Sequence, residues 1–380
     1  MTNSLSLYIH WPFCLSKCPY CDFNSHVADG PVDGDLWAGA LLTEMSHFAA
    51  ETSARSLSSI FFGGGTPSTM GPEITARLIE AAQNFWTPTE NLEITLEANP
   101  TSVEIGKLKD FAAAGVNRLS LGVQSFNDKS LKLLGRKHSA TEALSAISMA
   151  GEIFDRFSFD LIYGLPGQSL NEWKSELNQG IGLTAGHLSL YQLSVEKGTP
   201  FFRDGVIEAD PDLGADLFNV TQEQTSLAGL NIYEISNHAQ PGHECRHNVE
   251  IWRGGDYVGI GPGAHGRLTG EQGTHALYQF HDPSRWLEEV AQNGHATGKR
   301  RSLSTQERRE EIIMTGLRLS EGINKAHFQA ICGQPLEKTV DSKTLARLID
   351  GEFLIFNENG LRTTTQGRLC LNAVLAELLG

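Results

Sequence analysis

Residues Tyr8–Ser25 read YIHWPFCLSKCPYCDFNS. They continue a strand-like run, SLYIH (6–10), and then place Cys14, Cys18 and Cys21 within eight residues. A disulfide with one spare thiol would suit an oxidising compartment. A c-type heme attachment needs Cys-x-x-Cys-His, and Asp22 stands at the histidine position. A zinc site of three thiolates plus His10 or His26 is chemically sound. So is an iron–sulfur cluster, whose irons favour soft thiolates. Three cysteines would leave one iron open, and an open iron can take a substrate or cofactor directly.

Downstream of this loop, short strand patterns alternate with helical ones. After SLYIH come SSIFFGG (58–64), LEITLEA (92–98), RLSLGV (118–123), FSFDLIYG (157–164) and HLSLYQL (187–193). Between and after them, apolar residues recur every three or four positions over about 35–53, 73–86, 102–114, 139–151, 169–182 and 211–229. Six such units predict parallel strands joined by right-handed crossovers. A parallel barrel and an open doubly wound sheet both satisfy the alternation. In either, the segments GGGTP, EANP, GVQSF and YGLPGQ end strands and gather at one edge, where ligands bind. Glycines at 63–65 would let backbone approach a ligand, and Thr66 adds a hydroxyl. Glu97, Gln124, Arg136 and Asp160 belong at that same edge, carboxylates for hydroxyl or ammonium groups and arginine for a carboxylate.

The 380 residues predict two or three domains with ample core. A net charge of −15 disfavours duplex DNA and anionic membranes, since phosphate contacts need clustered Lys and Arg. No apolar run approaches the length of a membrane span. The amino end lacks a basic start and an apolar core like those of a signal peptide, so a cytoplasmic location is expected.

The rhythm changes near residue 230. Seven of the thirteen histidines fall within 238–295, and apart from His247 they are expected at the surface and not as ligands. From about 304 helices return, followed by FLIF, the turn NENG and LRTTT as a hairpin, then a helix from Gln366 to Leu379. Helices and a hairpin in this order suggest a winged-helix-like module. Its ten basic and ten acidic residues offer no basic face, so packing or partner docking is expected, not nucleic-acid binding. The expected divisions are 1–235, a His/Gly-rich connecting segment 236–300, and 301–380.

The spacing Cys-x3-Cys-x2-Cys after a first strand, with Tyr20 before the last cysteine, resembles the radical S-adenosylmethionine (radical SAM) superfamily. That resemblance implies a partial (βα)6 barrel. It also implies a [4Fe-4S] cluster on Cys14, Cys18 and Cys21, with the open iron chelated by S-adenosylmethionine (SAM). YIHWPFCLSKCPYCDFNS, FFGGGTPS, LEANP, LSLGVQSF, GRKHS and DLIYGLPGQ together resemble the oxygen-independent coproporphyrinogen III oxidase family, from Leu7 to about residue 270. By motif position, Tyr8, Tyr20, Gly64, Gly65, Thr66, Glu97, Gln124, Arg136 and Asp160 would contact SAM.

True oxidases of that family carry a fourth cysteine two residues after the third, and an extension before the first strand. Phe23 occupies the cysteine position here, and the first strand starts within eight residues of the amino end. Both departures resemble the heme-chaperone branch, which implies a protein that binds heme and passes it to an acceptor protein, without coproporphyrinogen III oxidase activity. The branch's His-Asn-x-x-Tyr-Trp motif matches His247-Asn248-Val249-Glu250-Ile251-Trp252, with Ile251 replacing Tyr. The resemblance thus makes His247 the heme ligand. The neighbouring Cys245 and His243 are candidates for a second ligand by proximity alone. The oxidase itself is the alternative reading.

Overall fold

The structure is a computed structural model that describes residues 4–380. Six parallel strands lie side by side in chain order: β1 (Ser4–Trp11), β2 (Ser56–Gly64), β3 (Thr87–Ala98), β4 (Arg118–Gln124), β5 (Phe157–Tyr163) and β6 (His187–Gln192). Helices α1 (Gly34–Thr52), α2 (Pro72–Phe85), α3 (Leu108–Ala113), α4 (Ala140–Ile153) and α5 (Leu170–Leu183) make the crossovers, and α6 (Pro211–Leu227) follows β6. Ser139 with Glu142 and Ser169 with Glu172 form capping boxes that start α4 and α5, satisfying backbone donors that would otherwise lack partners. The partial (βα)6 barrel is therefore the architecture.

The strands alternate in a way that matters for chemistry. Leu5, Leu7 and Ile9 of β1, Ile94 and Leu96 of β3, and Leu119 and Leu121 of β4 point outward into one apolar layer with the helices. The other parity carries Ser6, Tyr8, Ser59, Glu93, Glu97, Ser120 and Asp160, a polar lumen. Parallel strands are buried on both faces, so every lumen polar group needs a partner inside the protein or a ligand.

Residues 231–302 extend this sheet at both edges. The strand β8 (Asn237–Ala239) adds antiparallel to β6, and β7 (Asn231–Glu234) pairs antiparallel with β8 at the edge. The strand β9 (Tyr257–Ile260) lies parallel to β1, and β10 (His265–Gly270), β11 (Gly273–Gln279) and β12 (Thr297–Ser302) continue from it. Between the two edges, α7 (Arg246–Trp252) carries the HNVEIW motif. The segment 236–300 thus supplies sheet on both sides of the barrel.

The C-terminal region has its own apolar core, including Ile313, Phe328, Leu348, Leu361 and Val374. It comprises α8 (Thr305–Gly316), β13 (Ile323–Asn324), α9 (Lys325–Cys332), α10 (Ser342–Asp350) and the hairpin β14 (Leu354–Phe356)–β15 (Gly360–Thr363), with β13 paired to β15. Helix, strand, two helices and a hairpin returning to the strand is winged-helix-like order. The helix expected from Gln366 to Leu379 is instead two, Thr365–Leu369 and Leu371–Leu379, because Cys370 leaves helical geometry between them. Among the described residues no helix is long and apolar enough to cross a membrane.

Candidate functional site

At the C-terminal ends of the barrel strands lies a cavity of about 400 Å³. Cys14, Cys18, Tyr20, Cys21, Gly64, Gly65, Thr66, Glu97, Gln124, Arg136 and Asp160 all line it. Residues spread from Cys14 to Asp160 thus meet at one mouth. Tyr8 does not line it. Its hydroxyl donates to His10 Nδ1 at 3.0 Å one layer deeper in the lumen.

The cysteine loop is anchored by backbone. His26 N–H donates to Pro12 O at 2.8 Å, Cys21 N–H to Cys18 O at 3.1 Å, and Phe201 N–H to Pro19 O at 2.9 Å. Asn24 Nδ2 donates to Pro262 O and His281 O, both at 2.9 Å, tying the loop to the GIGPGAHG stretch. All three thiols are free and half-buried. His10 Nε2 donates to Asn24 O at 2.9 Å while Nδ1 accepts from Tyr8, so both ring nitrogens are engaged. His26 Nε2 is bonded to Asn24 Oδ1 at 3.0 Å. The zinc reading that needed a histidine therefore loses its clearest fourth ligand, His10.

The glycines act differently from the expectation. A Cβ on Gly64 would sit 2.6 Å from His10 Cε1, and one on Gly65 would sit 2.7 Å from Phe13 O. Gly64 also adopts φ +114°, a region L-residues rarely enter. These glycines are needed first for packing β2 against the start of the cysteine loop, and only through that for ligand approach.

Three features of the cavity suit a ligand bearing both cationic and carboxylate groups. Arg136 donates Nη1 to Cys18 Sγ at 3.3 Å, and Nη2 to Asn99 Oδ1 at 2.5 Å and Gly122 O at 2.7 Å, yet its buried Nε has no partner. Burial, with Asp160 nearby, pushes the Glu97 carboxyl up to about 8, against donation from Gly64 N–H. Burial likewise pushes Asp160 up to about 6, against a hydrogen bond from Ser189. Neither carboxylate has an ion-pair partner among the described residues. Gln124 holds φ +71°, backbone strain at the cavity wall of the kind found at ligand sites. The donor set, three thiols plus unpaired carboxylates and an incompletely satisfied guanidinium, fits a three-thiolate iron–sulfur cluster beside a sulfonium amino acid.

Sequence reasoning missed Asn99 and Tyr191. Asn99 Nδ2 donates to Thr66 Oγ1 at 3.2 Å, and Thr66 donates to Cys14 Sγ at 3.3 Å, so Asn99 ties Thr66 to Arg136. Its signal was its place in LEANP, directly after β3. Tyr191, 41% exposed to the cavity, follows Ser189 on the inward parity of β6.

His247 lies elsewhere. α7 closes the opposite end of the lumen, and His247 is buried there, its ring stacked on Phe61 with centroids 4.9 Å apart. A chain of hydrogen bonds runs from it: His247 Nδ1 to Ser59 Oγ at 2.9 Å, Ser59 to Ser6 Oγ at 2.9 Å, Ser6 to Glu250 Oε2 at 2.8 Å. Each hydroxyl has one proton and the carboxylate accepts last, so the proton at the start resides on His247 Nδ1. Burial lowers this imidazole to about 4 and keeps it neutral. Cys245 is also buried, donating to Glu93 Oε1 at 3.5 Å, with burial pushing its thiol up to about 12. It is closed to an incoming ligand. His238, expected at the surface, is buried against Gln222.

The radical SAM superfamily model matches residues 8–179, and the HemN C-terminal domain model matches 303–370. The mouse mitochondrial radical S-adenosyl methionine domain-containing protein 1 is 39% identical, the match covering 98% of this chain and 87% of that protein. Heme chaperone HemW of Escherichia coli is 38% identical over 98% of this chain and 97% of its own, and that of Bacillus subtilis 35% over 99% of each. Among solved structures, coproporphyrinogen III oxidase (HemN) from Escherichia coli superposes with a TM-score of 0.84 over 99% of this chain and 90% of its own, at 23% identity, a likeness of fold. A radical SAM domain is built around a [4Fe-4S] cluster and SAM, which agrees with the donor set at the barrel mouth. With this identity across nearly its whole length, the chain belongs to the heme chaperone HemW family within the radical SAM superfamily.

Proposed function

We propose that this protein binds heme and hands it to an acceptor protein, on a scaffold whose barrel mouth holds a three-cysteine [4Fe-4S] cluster and SAM. The observation that carries the reading is similarity to heme chaperones over 98–99% of this chain, at 34–38% identity. Phe23 supports the same branch: the position that holds a further cysteine in the oxidases is here a phenylalanine, 63% exposed on the cysteine loop.

In this reading Cys14, Cys18 and Cys21 hold three irons. Glu97 and Asp160 receive the cationic and hydroxyl groups of SAM, and Arg136 buttresses Cys18 while its Nε faces a carboxylate. A [4Fe-4S] cluster held by these thiolates would supply one-electron chemistry beside the bound SAM. Tyr20, Thr66, Asn99 and Gln124 shape the walls and exclude water. Heme is cargo, and the acceptor is a protein that needs it inserted. Six free thiols suit a reducing compartment, which supports the expected cytoplasmic location.

Hemin titration of the anaerobically reconstituted protein tests the proposal. A saturable Soret shift, followed by loss of the bound spectrum when an apo-acceptor is added, is expected. Protoporphyrinogen formation from coproporphyrinogen III with reductant and SAM would overturn it in favour of the oxidase alternative.

A further inference from the structure

Beneath α7, on the side away from the lumen, a second cavity of about 800 Å³ separates the barrel floor from the C-terminal module. It is twice the volume of the mouth cavity and falls within the usual range for small-molecule sites. Glu250 and Trp252 of the HNVEIW segment and Arg253, which follows it, face this cavity, although His247 of the same helix faces the lumen.

Most charges on its walls are already committed. Glu250 accepts from Ser6 and Ser58, Asp256 is paired with Arg55, and Arg253 grips Glu321 through two bonds of 2.7 and 2.9 Å. What remains uncommitted is a specific set. Arg362 is exposed on the hairpin and makes no ion pair among the described residues. Trp252, under the Arg318 guanidinium, presents an indole whose buried N–H has no partner. His327, at the start of α9, has Nε2 bonded to the carbonyl of Arg253 at 2.8 Å. A carbonyl only accepts, so Nε2 carries the proton and Nδ1 keeps its lone pair. An imidazole whose other nitrogen donates to a backbone carbonyl has the orientation and tautomer of a metal ligand.

We propose that heme docks in this crevice, with His327 Nδ1 as an axial ligand to iron, Trp252 against the porphyrin and Arg362 toward a propionate. The inference rests on the heme-binding reading above and names the site for it. It makes the HNVEIW helix the roof of the site through Trp252 and Arg253, and gives His247 a positioning role through the Ser59–Ser6–Glu250 chain.

The test is hemin titration of the full, reconstituted chain with His327→Gln, Arg362→Ala and His247→Ala, read by Soret position and by low-spin signals in electron paramagnetic resonance. His327→Gln retains an N–H donor for the Arg253 carbonyl and so preserves the local fold, which circular dichroism checks. We expect His327→Gln to weaken binding by about tenfold or more and to change the axial-ligand signature, as loss of a metal-centre contact does. Imidazole should restore that signature. Arg362→Ala should cost a smaller factor with the signature unchanged. Wild-type binding that is untouched by His327→Gln but abolished by His247→Ala would overturn the crevice while leaving the heme-binding function intact. A wild type that takes up no heme would overturn both.

Discussion

The two ends of one barrel lumen carry the same residue types and have opposite electrostatics. At the floor, burial alone would raise Glu93, but Arg118 and Arg156 and the His247 N–H pull it below the usual carboxylate range. It is ion-paired with Arg156 at 2.7 Å. At the mouth, four residues along the same strand, Glu97 makes no ion pair among the described residues, and burial beside Asp160 pushes it up to about 8. A carboxylate with its partner built in is structural. One left without a partner in a cavity lacks its partner until a ligand arrives. The lesson is that commitment, not residue type, separates scaffold from site.

The sharpest break would come from the thiols. Cys18→Ala should abolish the brown chromophore of the reconstituted protein, whereas His247→Ala should leave it intact, because the two residues belong to opposite ends of the lumen. Equal losses in both variants would sink the division. Next, Glu93→Gln leaves the buried Arg118 and the half-buried Arg156 without their carboxylate and should cost about 3–5 kcal/mol in urea unfolding. Glu97→Gln should cost no stability above pH 8 and instead weaken SAM binding.

The pH dependence follows from the same contrast. Burial pushes Glu97 up to about 8 and Asp160 up to about 6, from ordinary values of 4.5 and 3.8. Protons therefore favour the folded state, and the ligand-free protein should lose stability as pH rises from about 4 to about 8. A cationic ligand prefers the ionised carboxylates, so SAM affinity should rise across pH 6–8, measured by calorimetry. A flat profile would mean that neither carboxylate meets the cation. Smallest is Gly65→Ala, whose new Cβ meets the Phe13 carbonyl. It should cost roughly 1–3 kcal/mol and slow cluster reconstitution, since the cysteine loop must shift to admit it.

Much of the barrel was legible because its signals are local. Leu92–Ala98 alternates with period two, and β3 covers it. The helical pattern over about 139–151 falls on α4, which Ser139 and Glu142 start with both capping hydrogen bonds made. The mouth was legible because residues at the ends of parallel strands share an edge whichever way the sheet curves. The HNVEIW motif was visible as a string, but its split between lumen and crevice was not. At seven residues, α7 is too short for periodicity to say which side meets the barrel, and His327 stands 80 residues beyond His247 with no motif around it.

By itself the sequence determined the six-fold alternation, the three-thiol loop and the set of polar residues at the mouth, since periodicity and spacing act over a few residues. Only the tertiary structure decided which polar groups are satisfied. Glu93 finds Arg156 63 residues away and His247 finds Ser59 188 residues away, and no local rule reports such pairings. A buried polar group's energy depends on the partner that folding brings to it, so the difference between a structural carboxylate and a waiting one exists only once the chain has closed on itself.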